Sequence, residues 1–247
     1  MIMDKVSELF NEQRGAPNKK IYIVRHGETD WNVQKKFQGS EANIALNERG
    51  MWQAQKTGAY LKKYRTKNGE FDAMYSSPMV RAVETAEIMK EELDFQKDLI
   101  LLEELKEIKS GKFSGTTAKV RGDDPSFSEF NDVVADAEKI LDPIEKENYF
   151  YNQVQKVSSK LGLETVDERR ARVKRVLDVV LASPYEKIII VTHSGIINAM
   201  LGFVTNSLDP CQGNMDNGTN CSISYIKYIN GKFFVITWPN TKHLGMV

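Results

Sequence analysis

The chain has 247 residues, with 34 Lys plus Arg against 34 Asp plus Glu, and a formal net charge of zero excludes the basic excess of a general nucleic-acid binder. Apolar residues at 41% and charged residues at 28% describe a globular chain rather than a disordered one, long enough to bury a substantial core in one large α/β domain or two small ones. No stretch approaches the roughly 18 uninterrupted apolar residues of a membrane span. The N-terminal MIMDKVSELFNEQRG places charges where a signal peptide needs its apolar core, so the expected setting is the cytoplasm, with no membrane partner.

Cys211 and Cys221 are too few for a disulfide framework. The three histidines are His26, His193 and His243, and with no CxxC or HExxH pattern neither a transition metal nor another cofactor is expected. Asn-x-Ser/Thr matches at Asn217 and Asn220 are read as chance.

Residues 1–19 read as a polar, partly helical extension ending at Gly15-Ala16-Pro17. Ile21 to Val24 is a short apolar, β-branched strand running into Arg25-His26-Gly27-Glu28. Asn47 is an N-cap for a helix over about 48–64. Phe71 to Tyr75 is a second strand, followed by the turn Ser76-Ser77-Pro78 and a helix to about Leu93. Leu99 to Leu102 is a third strand. The irregular, charged stretch of about 126–160 reads as mostly helical. A helix from Val166 to Leu181 has Val173, Val176, Leu177 and Val180 on one face, and Pro184 closes it. Lys187 to Thr192 is the clearest buried strand; it runs into His193-Ser194-Gly195 and a helix over Ile196 to Leu201. Two last strands, about 221–229 and 233–238, flank Asn230-Gly231, a hairpin signal.

Strand, loop and helix alternate for most of the length, which predicts a three-layer α/β fold with a mostly parallel sheet and helices on both faces. Ligands of such sheets bind outside the C-terminal strand ends. Arg25 and His26, Ser76 to Arg81, and His193 follow three of those ends, so they can share one mouth. The planar fork of arginine suits phosphate oxygens. Positive charge nearby keeps a histidine neutral, and a neutral imidazole nitrogen is a nucleophile. These residue types together point to phosphoryl transfer through a phosphohistidine. Either histidine alone reads as well as a strand-capping structural group.

Arg25-His26-Gly27-Glu28-Thr29-Asp30-Trp31-Asn32 resembles the signature of the histidine phosphatase superfamily, the phosphoglycerate-mutase-like enzymes. The likeness continues through Phe37-Gln38-Gly39, Leu46 to Gly50, Ser76 to Ala86, Leu105 to Gly111, Val191 to Gly195 and Asn240 to Leu244. It covers about 20–245 in order. The resemblance implies a single phosphoglycerate-mutase-like domain over 20–247, with 116–160 as a variable segment near the pocket. It also implies that His26 accepts the phosphoryl group, that Arg25, Arg81, His193 and Asn32 hold it, and that Glu107 is the general acid. The family needs no metal. Glu28, Gln38 and Ser76 lie in matching motifs without an assigned role.

The pattern departs from the family in two places. Ser194 stands where many members carry Gly after the second histidine, and the segment after Gly115 aligns with nothing. Lys109, Lys112, Lys119 and Arg121 are candidates for a second anionic group of the substrate, or else surface cations. Leu105 to Gly111 departs from the Leu-Asn-Glu-Arg-His-Tyr-Gly of mutases, and Leu163 to Arg169 resembles the phosphatases' stretch before a helix. The expected activity is therefore hydrolysis of a small phosphorylated metabolite, with a cofactor-dependent phosphoglycerate mutase as runner-up. A non-catalytic phosphate-binding module is a remote alternative, because every core position is intact. A serine hydrolase is another, because Thr192-His193-Ser194-Gly195-Ile196 lacks the outer glycines of the Gly-x-Ser-x-Gly elbow.

Overall fold

The computed structural model describes residues 18–206 and 219–245; Cys211, Asn217 and nearly all of the expected N-terminal extension lie outside them. Among the described residues six strands form one sheet: β1 (Lys19–Arg25), β2 (Ala73–Ser76), β3 (Leu99–Leu101), β4 (Lys187–Thr192), β5 (Ile223–Ile229) and β6 (Lys232–Asn240). Their order is β3-β2-β4-β1-β5-β6. The first four are parallel, and β5 and β6 join antiparallel. The hairpin accounts for the second reversal, of β6 against β5: Asn230 and Gly231 both take positive φ, as a tight two-residue connection between neighbouring strands requires.

Register levels the strand ends. Arg25 stands opposite Thr192, and Ser76 opposite Val191. His26 N–H then donates to Thr192 O at 2.9 Å, and Ser77 N–H to Val191 O at 3.0 Å. The residues after β1, β2 and β4 therefore leave the sheet along one rim.

Helices in chain order are α1 (Asp30–Val33), α2 (Glu48–Asn68), α3 (Val80–Glu92), α4 (Ala118–Asp123), α5 (Ser128–Glu138), α6 (Pro143–Leu161), α7 (Val166–Ala182) and α8 (Ser194–Thr205). Tyr22, Val24, Met74, Ile189 and Val191 face one core with Ala54 and Leu61 of α2 and Ala82, Ala86 and Met89 of α3. Ile21, Ile23, Tyr75, Ile188 and Ile190 face the other, with Val173, Val176, Leu177 and Val180 of α7 and Ile196 and Met200 of α8. Both faces of the central strands are covered, which is why β1 and β4 read as continuous apolar runs.

The helix ends follow local chemistry. Asn47 accepts from Gly50 N–H, and α2 runs to Asn68 before Gly69, four residues beyond its expected end. Thr165 and Glu168 form a capping box on α7. Helix α8 is longer than expected at both ends: His193 is its N-cap, so the Ser194-Gly195 pair forms its first turn, and Asn206 closes it in the left-handed region. The stretch of about 126–160 is mostly helical, as expected, with helix starting earlier at α4; the segment has a core of its own in Phe113, Phe127, Val133, Val154, Val157 and Leu161. That core reaches back to the sheet side through Phe37, whose ring lies 5.7 Å edge-on from Phe113. Among the described residues, no helix is long and apolar enough to cross a membrane.

Candidate active site

The rim brings His26 and His193 together with ring centroids 5.2 Å apart. His26 and His193 are 3% and 0% exposed. His26 Nδ1 lies 2.7 Å from Gly27 O. A carbonyl only accepts, so Nδ1 carries the proton and Nε2 keeps its lone pair. Burial, reinforced by Arg81 and Arg25, holds the His26 imidazole well below its ordinary range. His193 is lowered for the same first reason, then by Arg81, His26, Arg25 and Arg172. Both rings are neutral at pH 7, and burial contributes more to this than the cations that the sequence pointed to.

The loop that carries His26 is fixed from three sides. Gly27 N–H donates to Thr85 Oγ1 at 2.9 Å, and the Thr85 hydroxyl donates to Arg81 O at 2.6 Å. Asn220 Nδ2 reaches His26 O at 3.0 Å, Gly27 O at 3.2 Å and Asn32 Oδ1 at 3.1 Å. The N-terminal turn of α2 packs directly beneath, where a Cβ on Gly27 would lie 2.5 Å from Gly50 O. Glu28, without an assigned role in the sequence, accepts from Asn47 Nδ2 at 3.1 Å and so joins this loop to the α2 cap.

Arg81 is fully buried, an arrangement that a cation tolerates only when it is paired. Its Nη1 donates to Ala42 O at 2.7 Å and its Nη2 to Gln38 O at 3.4 Å. Asn43 Oδ1 accepts from Val80 N–H at 2.9 Å, so one loop both caps α3 and holds its arginine. Burial brings Arg81 down to about 10, against the opposing pull of Glu107. It remains charged at neutral pH.

Asn32 Oδ1 accepts from Thr29 N–H in a capping box and from Asn220. What Asn32 has left to offer a ligand is its NH2 group. Gln38 Oε1 accepts from Thr29 Oγ1 at 2.9 Å, and Ser76 donates to Ser77 O at 2.9 Å. Gln38 Nε2, Arg81 Nε and His193 Nδ1 are buried polar atoms with no protein partner among the described residues. Buried polar atoms in that state are the exception in proteins, and the Gln38 and Arg81 N–H groups suit an anion at the mouth.

Glu107 follows the short 3-10 turn Glu103–Leu105 after β3. Its Oε1 accepts from Ile108 N–H at 2.9 Å and its Oε2 from Gly195 N–H at 3.2 Å. Burial raises its pKa, opposed by those two bonds and by Arg81 and Arg25. A carboxyl that holds its proton above the usual range next to cations is equipped as a general acid. Among the described residues, no group of three or more His, Cys, Asp or Glu side chains is placed to hold a metal ion.

A model of the histidine phosphatase superfamily (branch 1) matches residues 21–161 and 135–241. The chain belongs to the histidine phosphatase superfamily. The uncharacterized phosphatase PhoE of Bacillus subtilis (strain 168) is 29% identical to it over 226 residues, 91% of this chain and 96% of that protein. The metal-independent phosphoserine phosphatase of Arabidopsis thaliana is 27% identical over 231 residues, 92% of this chain and 84% of its own. Among solved structures, phosphoglycerate mutase from Bacillus anthracis str. Sterne superposes with a TM-score of 0.70 at 21% identity, covering 94% of this chain and 97% of that one. The phosphoglycerate-mutase-like α/β fold and the phosphatase class expected from the sequence both stand. The serine-hydrolase alternative falls, and Ser194 is the first residue of α8.

In this histidine phosphatase, Arg25, His26, Arg81, Glu107 and His193 come together at the rim, with Asn32 tied to the His26 loop through Asn220. Sequence reasoning missed Ser77, whose Oγ lies 2.8 Å from His193 Nε2, as well as Thr85 and Asn220. Ser77 reads as part of a turn, and Asn220 as a chance glycosylation match. In this segment the close approach is at Gly195, where a Cβ would lie 2.4 Å from Glu107 Oε1. Lys109, Lys112 and Lys119 are exposed, whereas the Arg121 guanidinium is half-buried 4.1 Å from the Phe37 ring centroid.

Proposed function

We propose that this histidine phosphatase hydrolyses a small phosphorylated metabolite through a phosphohistidine on His26. The observation that carries the reading is the 2.7 Å contact of His26 Nδ1 with Gly27 O, which leaves Nε2 as the free lone pair of a neutral ring. That lone pair attacks phosphorus, and the bond to the leaving oxygen breaks. The leaving oxygen keeps the electron pair and takes the proton of Glu107. A water then attacks the phosphoryl phosphorus and gives its proton to Glu107. The P–N bond breaks with its pair returning to Nε2, and inorganic phosphate leaves. Arg25, Arg81, His193 and the Asn32 amide hold the phosphoryl oxygens, and no cofactor enters either step.

The substrate we assign is a phosphomonoester with a second anionic group, met by Arg121. Arg121 is the candidate cation held against Phe37, the residue before Gln38. The segment 116–160 then lies over the pocket of a single domain spanning 20–247. The name of the Arabidopsis relative, a phosphoserine phosphatase, agrees with such a substrate. We place the protein in the cytoplasm, with its metabolite substrates.

The test is to quench the enzyme during turnover of phosphoserine and other phosphorylated metabolites. A label that is acid-labile, alkali-stable and absent from His26→Ala is the expected result. A well-folded His26→Ala variant within tenfold of wild-type turnover overturns the reading. A mutase assay on monophosphoglycerate beside it separates hydrolysis from isomerisation, since only hydrolysis releases phosphate in proportion to substrate consumed.

A further inference from the structure

Residues 104–109, which carry Glu107, are held by side chains of helix α7 and the turn before it. Arg172 Nη1 donates to Glu104 O at 2.9 Å and to Lys106 O at 2.5 Å. The rest of its guanidinium forms a two-point pair with Glu164, Nε to Oε1 at 2.8 Å and Nη2 to Oε2 at 2.5 Å. Both side chains are largely buried, at 13% and 8% exposed. Glu164 Oε2 also accepts from Lys109 N–H at 3.2 Å, and Glu164 N–H donates to Lys109 O at 3.1 Å. The carbonyl between the two that Arg172 holds, Leu105 O, accepts from Thr192 Oγ1 at 2.7 Å. Backbone groups of Glu104, Leu105, Lys106 and Lys109 are therefore each bound by a side chain from outside the segment, and Glu107 sits between them.

A buried two-point ion pair is an expensive way to hold a loop, because both charges lose their water. A hydrophobic contact would stabilise the fold as well. What the pair adds is fixed geometry on both sides of one carboxylate. We infer that Arg172, oriented by Glu164, is a positioning residue for the general acid: it sets the backbone on either side of Glu107 so that the carboxyl stands at the leaving oxygen. Arg172 touches neither substrate nor the reacting atoms in this scheme. The inference rests on Glu107 being the acid, as proposed above.

Misplacement of a catalytic group by about 1 Å costs on the order of 10²-fold. A misplaced acid hurts only those substrates whose leaving group needs its proton. The experiment measures single-turnover phosphorylation with enzyme in excess for Arg172→Lys, Arg172→Met and Glu164→Gln. The substrates are phosphoserine and 2,4-dinitrophenyl phosphate. We expect phosphoserine phosphorylation to slow by about 10–100-fold with KM changed less than about threefold, and dinitrophenol release to change less than about threefold. Arg172→Lys in a Glu107→Gln background should cost almost nothing further, because the group it positions is gone.

Equal slowing of both substrates, no slowing of either, or the same cost in both backgrounds overturns the inference. If Arg172→Met fails to fold, Arg172→Lys and Glu164→Gln carry the same comparison. A Glu107→Gln variant with no dependence on the leaving group means that the assignment of the acid has failed. A Glu107→Gln variant that shows it while the Arg172 and Glu164 variants do not means that only the positioning role has.

Discussion

Gly195 donates its backbone N–H to Glu107 Oε2 at 3.2 Å, and a Cβ on Gly195 would lie 2.4 Å from Oε1 of the same carboxylate. That Cβ would also lie 3.1 Å from both branches of Ile108. The first turn of α8, which starts from His193 as its N-cap, is thereby packed against Glu107.

Gly195→Ala should therefore act on Glu107, the proposed general acid. The methyl must displace the carboxyl or the first turn of α8, an overpacking that costs about 1–3 kcal/mol. We expect hydrolysis of alkyl phosphates to fall about 10–100-fold, as for other small misplacements of a catalytic group. Ser194→Gly should change little, since nothing in the structure demands glycine there. Steady-state kinetics and thermal melting of both variants check this, and the idea fails if Gly195→Ala keeps wild-type turnover.

Glu107 competes in sequence with Glu103 and Glu104. In the structure Glu103 is exposed and pairs with Lys106, while Glu104 lies 3.8 Å from Arg175 on the outside of the turn. Only Glu107 turns inward, with its pKa raised by burial. Glu107→Gln should slow alkyl phosphates by roughly 10²–10⁴-fold, the usual worth of general acid catalysis. It should also remove the alkaline fall of kcat/KM that deprotonation of Glu107 produces. Glu103→Gln and Glu104→Gln should be near-silent. A large, leaving-group-dependent loss in Glu104→Gln instead would move the acid.

Ser77 ties His193 to the loop between β2 and α3. Its Oγ lies 2.8 Å from His193 Nε2 and accepts from Met79 N–H at 3.3 Å. Ser77→Ala leaves buried polar groups unmatched, at a cost of about 1–3 kcal/mol. With the ring free to turn, inhibition by inorganic phosphate or vanadate should weaken by about tenfold, which corresponds to about 1.4 kcal/mol. Ser76→Ala, whose hydroxyl donates only to Ser77 O, should leave that inhibition nearly unchanged. Inhibition constants for the two variants decide the matter.

Much of this site was legible because its residues follow strands whose apolar runs are unmistakable. Ile21 to Val24 and Lys187 to Thr192 announce themselves, and a parallel sheet brings their ends together. The supporting bonds were not legible. His193 and Ser77 are 116 residues apart, and Asn220 and His26 are 194 apart. Such pairs join side chains to distant partners, so neither periodicity nor propensity reveals them. Arg172 is one of several cations on α7, with Arg169, Arg170, Lys174 and Arg175, and only its burial against Glu164 separates it from a solvated face. Ser194-Gly195 reads as loop chemistry, yet it opens a helix because His193 supplies the extended cap.

The buried histidines also fix how stability responds to pH. In the unfolded chain each titrates near 6.5. In the folded protein burial lowers His26 and His193 well below that, and lowers the less buried His243 to about 4. As pH falls through 6.5 the unfolded state gains protons that the folded state does not. Stability present above pH 6.5 is then lost, at up to about 1.4 kcal/mol per pH unit for each fully buried ring. Glu107 works the other way, because its raised folded pKa favours the native state as pH falls towards its unfolded value. One carboxyl does not offset two buried imidazoles. The melting temperature should therefore drop between pH 7 and pH 5 in buffers free of phosphate. His243 Nε2 lies 3.0 Å from Thr57 Oγ1, so His243→Gln keeps a group able to donate or accept there while removing a titrating ring, and its melting temperature should fall less steeply with pH. A wild-type melting temperature that stays flat or rises between pH 7 and pH 5 would mean that the rings are charged in the folded state, and His26 would then not be the neutral nucleophile proposed here.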